Sequence, residues 1–283
     1  MSEQRKMKSY EELRYSDDFM FSKVMEDPEL CREVLQCLLQ RPISELKEVQ
    51  TQRQLTYTAD GKPVRLDLYN RDSEGAVYDV EMQNLNHKKV EDLQLPRRSR
   101  FYQSSIDIDY MDKGNSYKDL PESSVLFICT FDPFGKGMGV YTFREYCEEM
   151  PGYRLNDGTV KIFYNCCYKG DDIAEGLRKL YDYIENGKTD DDLTRKIEAA
   201  VSLGRKNYVW RTQYMKLRTM LMDEREEGRE EGIKEGIKEG GDIRDNERIS
   251  NMLRRGKTVD EIVDFCGYPK EQVEKVEKSM LTS

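Results

Sequence analysis

Two segments around positions 64 and 76 alternate between apolar and polar residues. Over Val64–Asn70, Val64, Leu66 and Leu68 share one face and leave Arg65, Asp67 and Tyr69 on the other. Over Ala76–Gln83, the residues Ala76, Tyr78, Val80 and Met82 oppose Val77, Asp79, Glu81 and Gln83. A period of two predicts two strands, and the polar run Arg71–Gly75 between them predicts a hairpin. If both apolar sets meet one core, parity places Asp67, Asp79 and Glu81 together on the opposite face in any even register. Direct cross-strand neighbours lie about 5 Å apart and those offset by two about 7 to 8 Å, so Asp67 and Glu81 reach a common cation. The same alternation also describes an ordinary amphipathic hairpin with solvent on its polar side.

Ahead of the hairpin, Ser16 or Asp17 caps a turn carrying Phe19, Phe21, Val24 and Met25. Asp27 followed by Pro28 then opens a helix whose Leu30, Val34, Leu35, Leu38 and Leu39 recur at helical spacing. Arg41-Pro42 ends it, and Gln50–Tyr57 predicts a strand running into the turn cluster Ala59–Pro63. After the hairpin, Leu85–Leu95 carries helical spacing, and Pro96 kinks or restarts it. Arg97, Arg98, Phe101 and Tyr102 then fall near a helix start. Val125–Phe131 suits a buried strand, while Met138–Phe143 and Val160–Tyr168 add two more, for a sheet of about five or six strands. Gly135–Gly139 reads as a hairpin turn, because it lacks the G-x-x-x-x-G-K-[ST] of a phosphate loop.

From Asp171 the pattern becomes helical, over Ile173–Asn186, Thr189–Leu203 and a long stretch from about Arg205. Inside that stretch, R-E-E-G, R-E-E-G, I-K-E-G, I-K-E-G sets glycines at 228, 232, 236 and 240. Each glycine costs a helix about 1 kcal/mol against alanine, so a solvated linker or hinge is expected. Oligomerisation through the C-terminal helices is the competing reading. Thr258-x-x-Glu261 forms a capping box, Gly267 closes that helix, and Pro269 opens a last one carrying Val273 and Val276. This tail resembles a small helix-turn-helix, although its last helix lacks a set of side chains for reading base edges. The expected organisation is a core over residues 1–170 and a helical extension over 171–225, packed on the core or leaving it. A Gly/Glu-repeat linker over 226–250 and the tail over 251–283 complete it.

Charge and composition narrow the chemistry. Lys plus Arg is 46 and Asp plus Glu is 55, a formal net charge of −9 that repels DNA except at a local basic patch. The one histidine, His87, excludes sites needing two imidazoles and is itself expected to be incidental. The seven cysteines contain no C-x-x-C pair and suit a reduced interior. No apolar run approaches the roughly 20 residues needed to span a bilayer, so a cytoplasmic protein without a membrane partner is expected.

Carboxylates gathered on one face raise one another's pKa unless a cation sits among them, and oxygen donors of this kind suit Mg²⁺ or Mn²⁺. Downstream, Lys88, Lys89, Arg97, Arg98 and Arg100 form a basic segment in an acidic chain. The wider string carries V-R-L-D-L-Y, Y-D-V-E-M-Q, R-R-S-R-F-Y-Q-S-S-I-D and G-N-S-Y-K-D-L. With S-D-D-F-M-F-S-K-V-M before them and S-S-V-L-F-I-C-T-F-D-P-F-G after, it resembles the PD-(D/E)XK nuclease family transposases from about Tyr15 to Tyr168. These are also called the Rpn family of recombination-promoting nucleases.

The resemblance implies an α/β fold, a restriction-endonuclease-like mixed sheet flanked by helices with an all-helical C-terminal extension, and Mg²⁺-dependent hydrolysis of DNA. It implies that Asp67, Glu81 and the backbone carbonyl of Met82 hold Mg²⁺ or Mn²⁺, and that Asp18 of S-D-D-F matches an acidic residue of the first helix. Gln83 then stands where E-x-K has its lysine. In that setting Lys88, Lys89, Arg97, Arg98 and Tyr102 become candidates for contact with DNA phosphates. Gln83 orients water or phosphate by hydrogen bonds but carries no charge, which leaves the source of the cation open. Two classes stand: a metal-dependent DNA endonuclease, and a catalytically weak or inert member acting as a DNA-binding or assembly protein.

Overall fold

The computed structural model of the chain describes residues 8–55, 64–85, 89–111 and 116–281. The turn cluster Ala59–Pro63, His87 and Lys88 lie outside the described residues. The two opening helices start differently, since the Asp17 side chain makes no capping bond and accepts from the Arg14 N–H instead. Asp17 precedes α1 (Asp18–Val24), and the Asp27 carboxylate accepts from the N–H groups of Glu29 and Leu30 to start α2 (Pro28–Leu39). Leu30, Val34, Leu35 and Leu38 form the buried stripe of α2.

Six strands follow: β1 (Leu46–Leu55), β2 (Val64–Asp72), β3 (Val77–Gln83), β4 (Ser123–Cys129), β5 (Val140–Phe143) and β6 (Thr159–Asn165). They form one sheet in the order β1-β2-β3-β4-β6-β5. The pairs β1/β2, β2/β3 and β5/β6 are antiparallel, while β3/β4 and β4/β6 are parallel. A parallel pair needs a crossover, and α3 (Leu95–Met111) provides it between β3 and β4. Leu95 and Ile106 of α3 pack on Val77, Val125 and Phe127 of one sheet face. On the other face the Tyr164 hydroxyl donates to the carbonyl of Leu38 at 3.0 Å, tying β6 to the end of α2. Two more helices, α4 (Glu175–Asn186) and α5 (Asp192–Arg205), pack against α2, and α5 also against α1. The mixed sheet flanked by helices, with a long helical C-terminal region, is the restriction-endonuclease-like architecture expected.

Three expectations are corrected. Leu85–Leu95 does not form a helix: the described part holds only a 3₁₀ turn, Val90–Leu93, which Gln94 ends with a left-handed φ of 51°. Gly135–Gly139 is not a hairpin turn, because β5 pairs with β6 and not with β4. It is a crossing loop organised by Asp132, whose carboxylate accepts from the N–H groups of Phe134, Gly135 and Gly137 and from the Tyr141 hydroxyl. The polar face of the β2/β3 hairpin is not a solvent face either. Asp79 is 0% and Glu81 2% exposed, because in a layered α/β fold both faces of a central strand are covered.

By its internal contacts the chain divides into Met1–Tyr214 and Met215–Ser283. The glycine repeat lies within the helical span of α6 (Tyr208–Arg254). In the second unit, α7 (Val259–Cys266) and α8 (Lys270–Leu281) build a small core from Ile249, Ile262, Val273 and Val276. Thr258 and Glu261 form the expected capping box, and Gly267 closes α7 at φ 71°. Among the described residues, no helix is long and apolar enough to cross a membrane.

Candidate active site

The site begins where the β2/β3 ladder stops. Pairing runs through Arg71↔Val77, Asn70↔Tyr78 and Tyr69↔Asp79. Two residues further, the Asp67 N–H, which a regular ladder would turn away from β3, donates instead to Oε1 of Glu81 at 2.8 Å. β3 stays paired with β4 through Gln83↔Cys129, and the Gln83 carbonyl accepts from the Thr130 N–H at 3.0 Å. Successive residues of a strand turn their N–H and C=O to opposite sides. Those of Met82 therefore face β2, and its N–H draws the Asp67 carboxyl down. Asp67 and Glu81 thus meet at one opening in the sheet, with the Met82 backbone at its edge.

α3 closes that opening from above. Arg98 and Tyr102 are four residues apart and share a helix face. The Arg98 guanidinium donates to Oε1 of Gln83 at 2.6 Å and to the Tyr102 hydroxyl at 2.9 Å, and its Nη2 stands 3.3 Å from Oε2 of Glu81. It also lies over the rings of Phe127 and Tyr102, at 5.5 and 5.4 Å from their centroids. Tyr102 in turn stacks on Phe127. These contacts hold the guanidinium plane in place. A cation from α3 thus stands beside Gln83, whose own side chain carries no charge.

These contacts compensate the carboxylates only in part. Burial, and then the charge of Asp18, pushes the Asp67 carboxyl up to about 6, against the pull of Arg65, Arg98 and the Met82 N–H. Burial, and then the charge of Asp67 on Asp79 and the charges of Asp79 and Asp67 on Glu81, hold both carboxyls well above the usual carboxylate range. Both oxygens of Asp79 are buried with no hydrogen-bond partner among the described residues. Orphaned buried oxygens beside two further carboxyls match a hard divalent cation chemically. Among the described residues, no three His, Cys, Asp or Glu side chains already converge as a metal cage. Two carboxylates and a carbonyl nevertheless suit Mg²⁺, which is commonly held by one or two carboxylates and keeps waters and phosphate oxygens for the rest.

The remaining predicted residues divide. Asp18, at the start of α1, is close enough to Asp67 to raise its pKa, and its own carboxyl, which faces the protein, is raised by desolvation against the pull of Arg65 and Arg98. Asn84 holds this corner together: its amide donates to the Ser16 carbonyl at 2.5 Å and accepts from the Thr130 hydroxyl at 3.0 Å. Lys89 is exposed and precedes the Val90–Leu93 turn. Arg97 is exposed on a separate groove beside Asp132–Gly135. The sequence reading missed Asn84 and assigned no role to Asp79, although strand parity had already set Asp79 beside Glu81.

Residues 16–145 match the family model of the PD-(D/E)XK nuclease family transposases, a segment that holds Asp18, Asp67, Glu81, Gln83 and Arg98. No curated protein and no solved structure matches the chain. The match supports a function of nuclease type. Over residues 16–145, just under half of its length, the chain is similar to the PD-(D/E)XK nuclease family transposases.

Proposed function

We infer that the protein is a divalent-metal-dependent DNA endonuclease that hydrolyses phosphodiesters at the opening between β2 and β3. The observation that carries this reading is Arg98, poised on both Gln83 and Glu81 above the buried carboxylates. Mg²⁺ or Mn²⁺ held by Asp67, Glu81 and the Met82 carbonyl would polarise the scissile phosphate and lower the pKa of a bound water. Arg98 offers a planar pair of N–H donors to the non-bridging oxygens, where negative charge develops. Gln83 is a positioning residue: its carbonyl oxygen anchors the Arg98 fork. Asp18 adds an acceptor at the rim for a water or a second ligand. Lys89 and Arg97, both exposed, are assigned to DNA phosphates flanking the scissile one. In the same reading the protein works in the cytoplasm and self-associates through its C-terminal helices, where Met215, Met220, Leu221, Ile233 and Ile237 of α6 are exposed.

The second reading, an inert DNA-binding or assembly protein, draws on one observation: Glu81 already has two partners, the Asp67 N–H and Arg98. Supercoiled plasmid separates the two. Nicking with Mg²⁺ or Mn²⁺ that stops in EDTA is the expected result. Binding of DNA with no nicking under any metal tried would transfer the protein to the second reading.

A further inference from the structure

A cleft of about 520 Å³ opens on the sheet face away from the carboxylates, beside the first residues of β3, β4 and β6. That volume lies within the range of small-molecule sites, about 300 to 1,000 Å³. The registers Tyr78↔Ser124↔Val160 and Leu126↔Ile162↔Thr142 place Tyr78, Ser124, Val160 and Ile162 on its floor. Alternation along β3 sends Tyr78 into this cleft and Asp79 and Glu81 to the opposite side. Ser124 is 7% exposed, and its hydroxyl has no hydrogen-bond partner among the described residues.

Three arginines line the walls: Arg41 just beyond α2, and Arg144 and Arg154 from the β5–β6 connection, which a bridge between Tyr146 and Arg154 pins. The Arg41 guanidinium donates to the Tyr78 hydroxyl at 3.2 Å and lies over its ring, while that hydroxyl donates to Asp72 at 2.9 Å. Arg41 is therefore held by a chain of ordered groups. Arg154 lies over the ring of Tyr146. Among the described residues, none of the three arginines forms an ion pair, although Glu122, Glu145 and Asp157 line the same cleft. Asp157 is engaged by the Thr159 N–H and hydroxyl, at 3.1 and 2.8 Å.

We propose that this cleft binds a mononucleotide. Guanidinium forks fit a terminal phosphate, the apolar floor fits a planar base, and the carboxylates of Glu122 and Glu145 accept N–H or O–H groups of base and sugar. A single nucleotide presents one phosphate end. A DNA strand would carry phosphates past the acidic part of the rim, which opposes it. The site is separate from the catalytic opening, with the thickness of the sheet between them.

Calorimetric titration of the full chain in EDTA, with dAMP and separately with inorganic phosphate, tests the proposal. The expected result is saturable 1:1 binding of dAMP that is weakened at least tenfold by Arg144→Ala with Arg154→Ala, and is unchanged by Arg98→Ala. Both arginines of the double variant are exposed, and a circular-dichroism melt matching the parent confirms that it folds. No dAMP binding, or binding lost in Arg98→Ala and kept in the double variant, would overturn it. So would inorganic phosphate binding as tightly as dAMP, or a short oligonucleotide binding more tightly than dAMP through Arg144 and Arg154.

Discussion

Replacing Asp79 with Asn removes an ionisable carboxyl from a fully buried position while keeping its shape. Neither carboxylate oxygen has a hydrogen-bond partner among the described residues, and burial with the nearby charge of Asp67 raises its pKa well above the usual range. The folded protein therefore keeps a proton on Asp79 that the unfolded chain releases near pH 4. More protons bound in the native state means that stability falls as pH rises from about 4 toward the folded pKa, by about 1.4 kcal/mol per pH unit for one retained proton. That slope holds only between the unfolded and the folded pKa, and Asp79→Asn abolishes the part of it that this proton supplies. In a chain of this size 1 kcal/mol moves the melting midpoint by about 2 to 4 °C, so the gap between variant and parent should widen by about 3 to 6 °C per pH unit above pH 4, up to the folded pKa. Thermal unfolding in EDTA followed by circular dichroism measures the difference. The slope carries the test, since the Asn amide brings its own polar atoms into the space and shifts the offset. A difference that stays constant with pH refutes a protonated Asp79, and one that turns against the variant as pH rises shows a carboxylate ionised and paired.

Other outcomes follow from the same geometry. Arg98→Ala should lower single-turnover cleavage by about 10²- to 10³-fold, as expected when a donor to developing charge is lost. Arg97→Ala should weaken DNA binding and flatten its salt dependence while leaving the cleavage step unchanged. Gln83→Lys should slow cleavage, because an ammonium in that position repels the guanidinium that Gln83 now accepts from. Combined with Arg98→Ala it should recover part of the lost rate, and strict additivity of the two losses would refute that coupling. With the Asp67 carboxyl at about 6, metal affinity measured by calorimetry should rise with pH through that value, since a proton must leave before a cation binds, and a flat profile would count against Asp67 as a ligand.

What the sequence disclosed was what neighbouring residues determine. Asp27-Pro28 and Thr258-x-x-Glu261 are complete signals within four residues, and both cap helices. The meeting of Asp67 with Glu81 was also readable, because a period of two leaves no other face for them once Leu66, Leu68, Val80 and Met82 are inside. The depth of the site was not. Alternation says which residues share a face, and whether α3 then covers that face depends on packing between distant segments. For that reason Asp79 passed as one more polar position. The approach of Arg98 to Gln83, fifteen residues away, depends on the crossover that β3 and β4 require. The glycine-rich loop was misjudged for a related reason, since β6 is inserted between β4 and β5 by a strand that follows both in the chain. Gln94 shows the converse limit: its left-handed turn cuts short a run whose apolar spacing alone is helical.

In the proposed function Asp67 and Glu81 act as the paired carboxylates of a metal-dependent phosphodiester hydrolase. The most direct test is the rate of plasmid nicking in Mg²⁺ by the parent, Asp67→Ala and Glu81→Ala, each shown by circular dichroism to be folded and by gel shift to bind DNA. The expected result is nicking by the parent alone, with both variants folded, bound to DNA and silent. Nicking by either folded variant at the parental rate would exclude that role and move the chemistry away from the opening between β2 and β3.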